Sequence, residues 1–295
     1  MINKYEERLG TERMLPLIFK MALPAVAAQF VNLLYSIVDR VYIGHIPGIG
    51  TDALAGVGVT TSLIILISSF SAIVGGGGAP LAAIALGQGD RVRAGKILGN
   101  GFVLLILFTL LTSFIAYTFM EPILLFTGAS ANTLEYAVDY LSIYLLGTIF
   151  VEISTGLNSF INAQGRPAIA MFSVLIGALL NIILDPIFIF IFKWGMMGAA
   201  VATVIGQVAT AFLAVWYLLH MKIIKPASGD YALRGSVCGR MLTLGITSFL
   251  SQISLVAAMA AINNMLRKYG ALDAVFGQEQ YAQIPMAVVG IVMKF

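Results

Sequence analysis

Long apolar runs separated by short polar breaks make up most of the chain. A helix needs about 20 apolar residues to cross the hydrocarbon core of a bilayer, and eight segments approach or exceed that length. They cover about residues 15–43, 53–84, 94–120, 133–162, 168–193, 196–220, 237–266 and 275 to the end. The strongest break in hydrophobicity lies at 222–236, which is the one candidate for a flexible linker. The pattern predicts an all-α polytopic membrane protein.

The composition leads to the same class. Of the 295 residues, 59% are hydrophobic and 11% are charged, and the mean hydropathy is +0.95. A soluble domain carries roughly 25% charged residues because its surface faces water. The lipid bilayer is therefore the expected solvent of this chain. A single cysteine, Cys238, excludes an internal disulfide and a cysteine-rich metal site.

Lysine and arginine residues in the short loops predict the orientation, because cytoplasmic loops carry an excess of them. One side of the predicted bundle carries Lys4, Arg8, Arg13, Arg91, Arg93, Lys96, Arg166, Lys222, Lys225, Arg234 and Arg240. The opposite side carries Arg40, Lys193, Arg267 and Lys268. We therefore expect a cytoplasmic N-terminus in the inner (cytoplasmic) membrane. The net charge of +3 reflects this topology, and no nucleic-acid partner is predicted.

A weak internal repeat is visible in the sequence. The segment "KMALPAVAAQFVN" from Lys20 aligns with "RMLTLGITSFLSQ" from Arg240, and "TDALAG" from Thr51 aligns with "LDAVFG" from Leu272. Repeats of this kind are common in transporters, and this spacing predicts a whole of about 440 residues. On this interpretation the chain is truncated, with one complete six-helix lobe and two helices of a second. Chance alignment of two amphiphilic helices is the alternative.

Two aspartates lie inside predicted spans, where burial of a charge is costly and usually functional. Asp39 shares a helix face with Asn32 and Tyr35. Asp185 follows Asn181 by four residues and directly precedes Pro186, which frees a backbone carbonyl. At 1.5 Å per residue, both aspartates lie in the outer half of the bundle, at a depth shared with Ala199 and Thr203.

Four polar or glycine-rich features admit a purely structural interpretation. Asp39 could cap the outer end of its helix beside Arg40, and Asp185 could serve only as the partner of a proline kink. Glu152 lies towards the cytoplasmic side, where it is either a second protonatable group or a structural hydrogen-bonding partner. The run at 75–80, "GGGGAP", lacks the tail of a phosphate-binding loop and predicts close helix packing and a hinge.

Four motifs in order carry a family resemblance: "SIVDRVYIG", "GGGGAPLAAIALGQGDRVRAGKILGN", "GLNSFINAQGRPAIAM" and "LLNIILDPIFIFIFKWGMMGAAVATVIGQ". Over about residues 10–295 the chain resembles the multidrug and toxic compound extrusion (MATE) transporters. The resemblance implies a two-lobe antiporter that exports cationic and amphipathic compounds in exchange for H+ or Na+. It divides the chain into a cytoplasmic tail at 1–14, a six-helix N-lobe at 15–221, an inter-lobe loop at 222–236 and an incomplete C-lobe at 237–295.

The resemblance also implies a set of cation- or proton-binding residues: Asp39, Asn181, Asp185, Ala199 and Thr203. The first three of these could be ligands of Na+. It implies a substrate cavity that contains Asn32, Tyr35, Tyr140 and Asn158, to which we add Glu152. Some members carry a cation-binding glutamate on their seventh helix, but this chain offers only Gln252 there. The expected mechanism is neutralisation of the close, desolvated aspartates by a proton or Na+, which displaces a cationic drug.

Three other functions stay open at this level. A lipid or polysaccharide-precursor flippase would need a basic cavity, and few basic residues lie inside the spans. A membrane enzyme such as a prenyltransferase would need clustered aspartates at a membrane face, and the sequence has none, so no enzyme activity is expected. An inactive transporter fragment is the third. The predicted partners are the lipid bilayer and small cationic or amphipathic molecules, with no cofactor besides the coupling ion and no obligate protein partner.

Overall fold

The computed structural model describes residues 13–220, 224, 226–278, 281 and 283–292, and the regular elements within these ranges are helical. Residues 1–12 of the predicted tail, residue 221 of the predicted N-lobe, residues 222, 223 and 225 of the predicted inter-lobe loop, and residues 279, 280, 282 and 293–295 of the eighth segment lie outside them. The α-helices in chain order are α1 Met14–Gly44, α2 Gly50–Gly87, α3 Arg91–Thr118, α4 Met120–Phe126, α5 Ala131–Ala163, α6 Pro167–Pro186, α7 Gly195–His220, α8 Gly235–Gly270 and α9 Ile284–Val292.

The predicted all-helical membrane class is confirmed. Within the described residues, seven helices are long and apolar enough to cross a membrane: α1, α2, α3, α5, α6 with its extension to Ile191, α7 and α8. Each coincides with one of the first seven predicted segments. The short helix α4 is additional and lies in the break between the third and fourth spans.

The eighth segment begins later than the sequence pattern predicts. Residues 271–278 form turns, and α9 begins at Ile284 rather than near residue 275. The backbone N–H groups of Val275 and Phe276 donate to Asp273 Oδ1 at 2.8 and 3.0 Å. These two hydrogen bonds stabilise the ionised form and hold the pKa of this exposed carboxyl below its usual value. The sequence did carry a sign of this break, because Asp273 and the mostly polar run at 277–283, "GQEQYAQ", precede the apolar residues of α9.

Helix α2 lies at the centre of the bundle and packs against α3, α5 and α8. Helix α5 packs in turn against α7, which contacts α6, and α1 joins the bundle mainly through α6. Buried apolar residues form two clusters. One includes Ile43, Leu63 and Leu141, and the other includes Leu105, Phe160 and Met241.

Glycines bring α2 and α8 to backbone contact, as predicted for the run at 75–80. A Cβ atom added to Gly77 would clash with the carbonyl oxygen of Met241, and one added to Gly245 would clash with the carbonyl oxygen of Ile73. Small residues let membrane helices approach this closely, which increases their van der Waals contact. The two helices are therefore joined through their main chains.

Hydrogen bonds hold the described part of the loop between α7 and α8 against α3. Asn100 Nδ2 donates to the carbonyl oxygens of Asp230 at 2.9 Å and Ala232 at 3.3 Å. The backbone N–H of Arg234 donates to Asn100 Oδ1 at 2.7 Å. Asn100 is fully buried. This portion of the candidate flexible linker therefore has a defined conformation.

Candidate cation site and cavity

The two intramembrane aspartates meet in the interior of the bundle. The carboxyl groups of Asp39 on α1 and Asp185 on α6 lie within hydrogen-bonding reach of each other. Asn181 Nδ2 donates to Asp185 Oδ1 and to Thr203 Oγ1 of α7, each at 3.3 Å. All four side chains are buried. The structure thus brings together residues from three helices that the sequence predicted to share one depth.

Close packing of α6 on α7 makes this contact possible. A Cβ atom on Gly206 would lie 2.6 Å from the carbonyl oxygen of Gly177, and one on Gly177 would clash with Thr210 Oγ1. Because neither glycine has a side chain, the two backbones approach within reach of the short Asn181 and Thr203 side chains. Directly after Asp185, α6 changes at Pro186 into a π-helical turn, Ile187–Ile191. Such turns are rare and occur mainly at functional sites.

The remaining residues of the predicted cation set and their neighbours surround this cluster. Ala199 is fully buried one turn before Thr203. Tyr140 of α5 lies within hydrogen-bonding reach of Thr203 and interacts electrostatically with Asp39. The guanidinium of Arg40 is buried, and its Nη2 donates to Thr61 Oγ1 at 3.3 Å. Two buried oxygens, Asp185 Oδ2 and Asn181 Oδ1, accept no hydrogen bond. Unused lone pairs of this kind suit a proton or a hard cation.

The alternative in which Asp39 caps its helix is wrong. Helix α1 continues beyond Asp39 to Gly44, and His45 is its C-cap residue. Asp39 is 8% exposed and lies inside the penultimate turn. A carboxylate at a helix C-terminus would also face the negative end of the helix dipole.

A cavity of about 640 Å³ lies next to the cluster, between α1, α5, α6 and α7. It extends from Asn162 and Pro167, near the predicted inner ends of α5 and α6, to Asn181 and Thr203. Asp39 and Asp185 do not line it and lie behind this pair. The described lining residues include no lysine or arginine. The cavity wall is therefore uncharged but rich in amide and hydroxyl groups.

The predicted cavity residues divide into two sets. Asn32, Tyr35 and Asn158 line the cavity. Tyr140 and Glu152 do not; Tyr140 is buried beside the cation cluster, and Glu152 is buried on α5, where Ser68 of α2 donates to its Oε1 at 2.7 Å.

Sequence reasoning missed Gln29 and Gln207, which also line the cavity. Gln207 lies within hydrogen-bonding reach of Tyr35 and accepts a hydrogen bond from Ser154 Oγ at 3.3 Å. The signal was present, because Gln207 follows Thr203 by four residues in an apolar span and therefore shares its face.

Comparison with known proteins identifies the family. The MatE family profile matches residues 24–187, which is more than half of the chain and includes both aspartates of the cluster. The chain belongs to the MatE family. MatE proteins are membrane transporters, so this chain is a multi-pass member of a transporter family rather than an enzyme.

Several relatives of this MatE chain carry names that refer to drug export. The multidrug export protein MepA of Staphylococcus haemolyticus (strain JCSC1435) is 26% identical over 257 residues, which cover 84% of this chain and 55% of MepA. The MATE multidrug transporter DinF-BH, solved as a complex, is 31% identical with a TM-score of 0.84, covering 99% of this chain and 65% of DinF-BH. A MATE structure in the bent conformation shares the fold at 22% identity and a TM-score of 0.80. The match covers 100% of this chain and 66% of the chain in that structure. This MatE chain therefore spans about half to two thirds of the length of these proteins.

Proposed function

We propose that this MatE protein takes part in cation-coupled export of cationic and amphipathic compounds, with the coupling H+ or Na+ bound by Asp39, Asn181, Asp185, Ala199 and Thr203. The contact between the two buried carboxyl groups is the observation that carries the proposal. The names of MepA and DinF-BH, which refer to multidrug export and transport, support the class of substrate.

The energetics of burial explain why such a pair would bind a cation. An ionised carboxylate at the centre of a bilayer costs about 2.5–3.5 kcal/mol on an insertion scale. Two adjacent carboxylates also repel each other, so binding one proton or Na+ relieves both penalties. The buried Oδ2 of Asp185 and Oδ1 of Asn181, which accept no hydrogen bond, supply ligand positions. We therefore infer that the carboxylate pair favours a monovalent cation, with the buried Arg40 guanidinium, which interacts electrostatically with Asp39, offsetting part of the charge.

The cavity supplies the second component of the proposal. Its volume of about 640 Å³ lies within the range of small-molecule sites, about 300–1,000 Å³. An uncharged wall backed by two carboxylates attracts an organic cation without binding it through a fixed ion pair. A polysaccharide-precursor flippase would instead need basic groups around a diphosphate, which the described lining residues lack.

In this mechanism the bound drug and the coupling ion compete for the negative charge of the pair. Arrival of a proton or Na+ at Asp39 and Asp185 removes the charge that attracts the organic cation, and the drug is released. With the predicted orientation, the N-terminus lies in the cytoplasm and the pair lies towards the outer side. The inward-opening cavity then loads drug from the cytoplasm.

Ion-driven transport tests the proposal. The chain is reconstituted in vesicles, and drug accumulation is followed with a proton gradient or a Na+ gradient imposed separately. We expect Asp185→Asn to lower the gradient-dependent transport rate at least ten-fold, because the neutral amide replaces one of the two carboxyl groups. The matched control Asp139→Asn removes a carboxylate from α5 outside the cluster and should retain the rate. Normal ion-driven transport by Asp185→Asn would overturn the mechanism.

A further inference from the structure

A second buried carboxyl group lies on α5, outside the cation cluster and the cavity wall. Glu152 is 2% exposed, and Ser68 Oγ donates to its Oε1 at 2.7 Å. Ser71, also on α2, lies within hydrogen-bonding reach. Oε2 is buried without a hydrogen-bond partner. A buried carboxylate stays ionised only when charges or several donors compensate it, so its unused oxygen requires an explanation.

The groups that face Glu152 do not provide a counter-charge. Helix α2 presents the two serine hydroxyls, and α5 itself presents Tyr144, which interacts electrostatically with the carboxyl group. Among the described residues, no lysine, arginine or histidine interacts with Glu152. A proton is then the ion that neutralises this carboxyl group most readily, since it needs no further ligands.

Glu152 ends a row of buried polar side chains on one face of α5. Tyr140, Tyr144, Thr148 and Glu152 follow each other at intervals of four residues, which places them along one side of the helix. We call these four residues the α5 polar stripe. The stripe spans roughly 18 Å at 1.5 Å per residue.

The two tyrosines occupy the end of the α5 polar stripe that lies towards the cation cluster. Their rings stack with centroids 6.0 Å apart. Tyr140 interacts electrostatically with Asp39 and Asp185, whereas Tyr144 interacts with Glu152 and also lines the cavity. Thr148 lies between Tyr144 and Glu152, and its hydroxyl donates to the carbonyl oxygen of Tyr144 at 3.0 Å. Tyr144 therefore stacks on Tyr140, lines the cavity and lies two helical turns before Glu152, with which it interacts electrostatically.

We propose that Glu152 is a second proton-binding site, which exchanges its proton with the cavity through Tyr144 and is linked through Tyr140 to the Asp39–Asp185 pair. In each transfer one O–H bond forms as another breaks, and each phenol regains its proton, so the phenols stay neutral and the charge changes only at Glu152 and at the group that takes up or supplies the proton. This inference rests on the proposed function, because it gives the coupling reaction a second proton acceptor. The proposal also implies that the contact between α2 and α5 at Ser68 depends on the protonation state of Glu152.

Infrared spectroscopy of the reconstituted chain tests the site directly. A protonated carboxyl group gives a C=O stretching band that shifts in D2O, and its intensity follows the pH titration of that group. We expect the native chain to show such a band for Glu152 and Glu152→Gln to lose it. The matched control Glu135→Gln makes the same change at an exposed position of α5 and should keep the band. Persistence of the full band in Glu152→Gln would overturn the proposal.

Two further variants keep the test informative if Glu152→Gln does not fold. Ser68→Ala retains the carboxyl group but removes the donor to Oε1, so the band should move to higher frequency. Tyr144→Phe removes the hydroxyl between Glu152 and the cavity, and exchange of the Glu152 proton with D2O should slow at least ten-fold. An unchanged band in Ser68→Ala and an unchanged exchange rate in Tyr144→Phe would together refute the site and its route.

The same spectra separate this inference from the proposed function. In Asp185→Asn, loss of the charge at the pair should shift the titration midpoint of the Glu152 band, and a fixed midpoint would refute the link between the sites. If the Glu152 band behaves as expected while Asp185→Asn still transports drug normally, the coupling mechanism fails and the proton site stands. If ion-driven transport requires Asp185 but Glu152→Gln keeps the band, the coupling mechanism stands and the second site fails.

Discussion

Asn181 holds the cation cluster together through a single amide group. Its Nδ2 donates to both Asp185 and Thr203, and its Oδ1 stays buried without a hydrogen-bond partner. Hydrogen bonds from a neutral amide to a carboxylate orient the oxygens without neutralising their charge. Besides its proposed role in binding the ion, Thr203 positions the amide by accepting a hydrogen bond from Asn181 Nδ2.

Replacing Thr203 with valine tests this role while preserving the shape of the side chain. We expect the loss of one hydrogen-bond acceptor to lower stability by about 0.5–1.5 kcal/mol and to weaken the response to the coupling ion by roughly ten-fold. The measurement is the ion-dependent shift in the thermal unfolding of the purified chain, with Thr243→Val on the exposed side of α8 as the control. An ion response equal to that of the native chain would show that Thr203 does not position the amide.

At the scale of single helices, close packing through glycines occurs at two helix contacts. Glycines let α6 and α7 approach beside the cation cluster, and other glycines let α2 and α8 approach through their main chains. In a bilayer, association of helices depends on van der Waals contact because lipid tails are as apolar as the helix surfaces. Removing the close contact by adding a single methyl group should therefore have a measurable cost.

The pair Gly245→Ala and Gly239→Ala separates this packing cost from helix propensity. Both glycines lie in α8, but an added Cβ clashes with Ile73 only at Gly245, while Gly239 has open space around it. We expect Gly245→Ala to destabilise the chain by about 1–3 kcal/mol through overpacking. Gly239→Ala should stabilise it by up to about 1 kcal/mol, since alanine favours the helix. The stability of both variants is measured by thermal unfolding, followed by circular dichroism in detergent. Equal effects of the two substitutions would contradict the close contact between α2 and α8.

The loop between α7 and α8 depends on one buried side chain of α3. Asn100→Ala leaves the carbonyl oxygens of Asp230 and Ala232 and the backbone N–H of Arg234 without their partner. The unsatisfied carbonyl group of the buried Asp230 costs about 1–3 kcal/mol, and the loop also loses its two partly buried hydrogen bonds, so we expect a clear loss of stability and faster cleavage of this loop by proteases. Asn132→Ala, at an exposed position of α5, is the control. Unchanged protease resistance in Asn100→Ala would show that other contacts hold the loop.

The sequence predicted the spans well because a bilayer demands length and hydrophobicity, and both are visible in the residues themselves. It also predicted that Asp39, Asp185 and Thr203 share a layer, because depth follows from a rise per residue along each helix. It could not show that Glu152 turns towards Ser68 rather than the cavity, since that depends on how α2 and α5 are rotated against each other. The polar run at 277–283 was a visible sign of the later start of α9, but the hydrogen bonds that form the turn at Asp273 depend on backbone geometry, which hydrophobicity does not report.

The predicted orientation of the whole molecule rests on the distribution of arginine and lysine and has a direct test. In a Cys238→Ala background, Gln88→Cys marks the break between α2 and α3, and Asn132→Cys marks the start of α5; both positions are exposed. With a cytoplasmic N-terminus, a membrane-impermeant maleimide should label Asn132→Cys in intact cells and spare Gln88→Cys. Inverted vesicles should give the reverse labelling, and the opposite pattern would reverse the predicted topology.

The main-chain contact between α2 and α8 also has a mechanical consequence. Helices that interlock through long side chains must change many rotamers when one turns against the other, and each change passes over a barrier. Around Gly77 and Gly245 the touching surfaces are peptide groups, so a small rotation changes few torsion angles. Resistance to twisting at this contact is therefore low, although the resistance to separating the helices is high. We therefore expect this contact to act as a pivot, around which one part of the bundle can turn while the two helices stay packed.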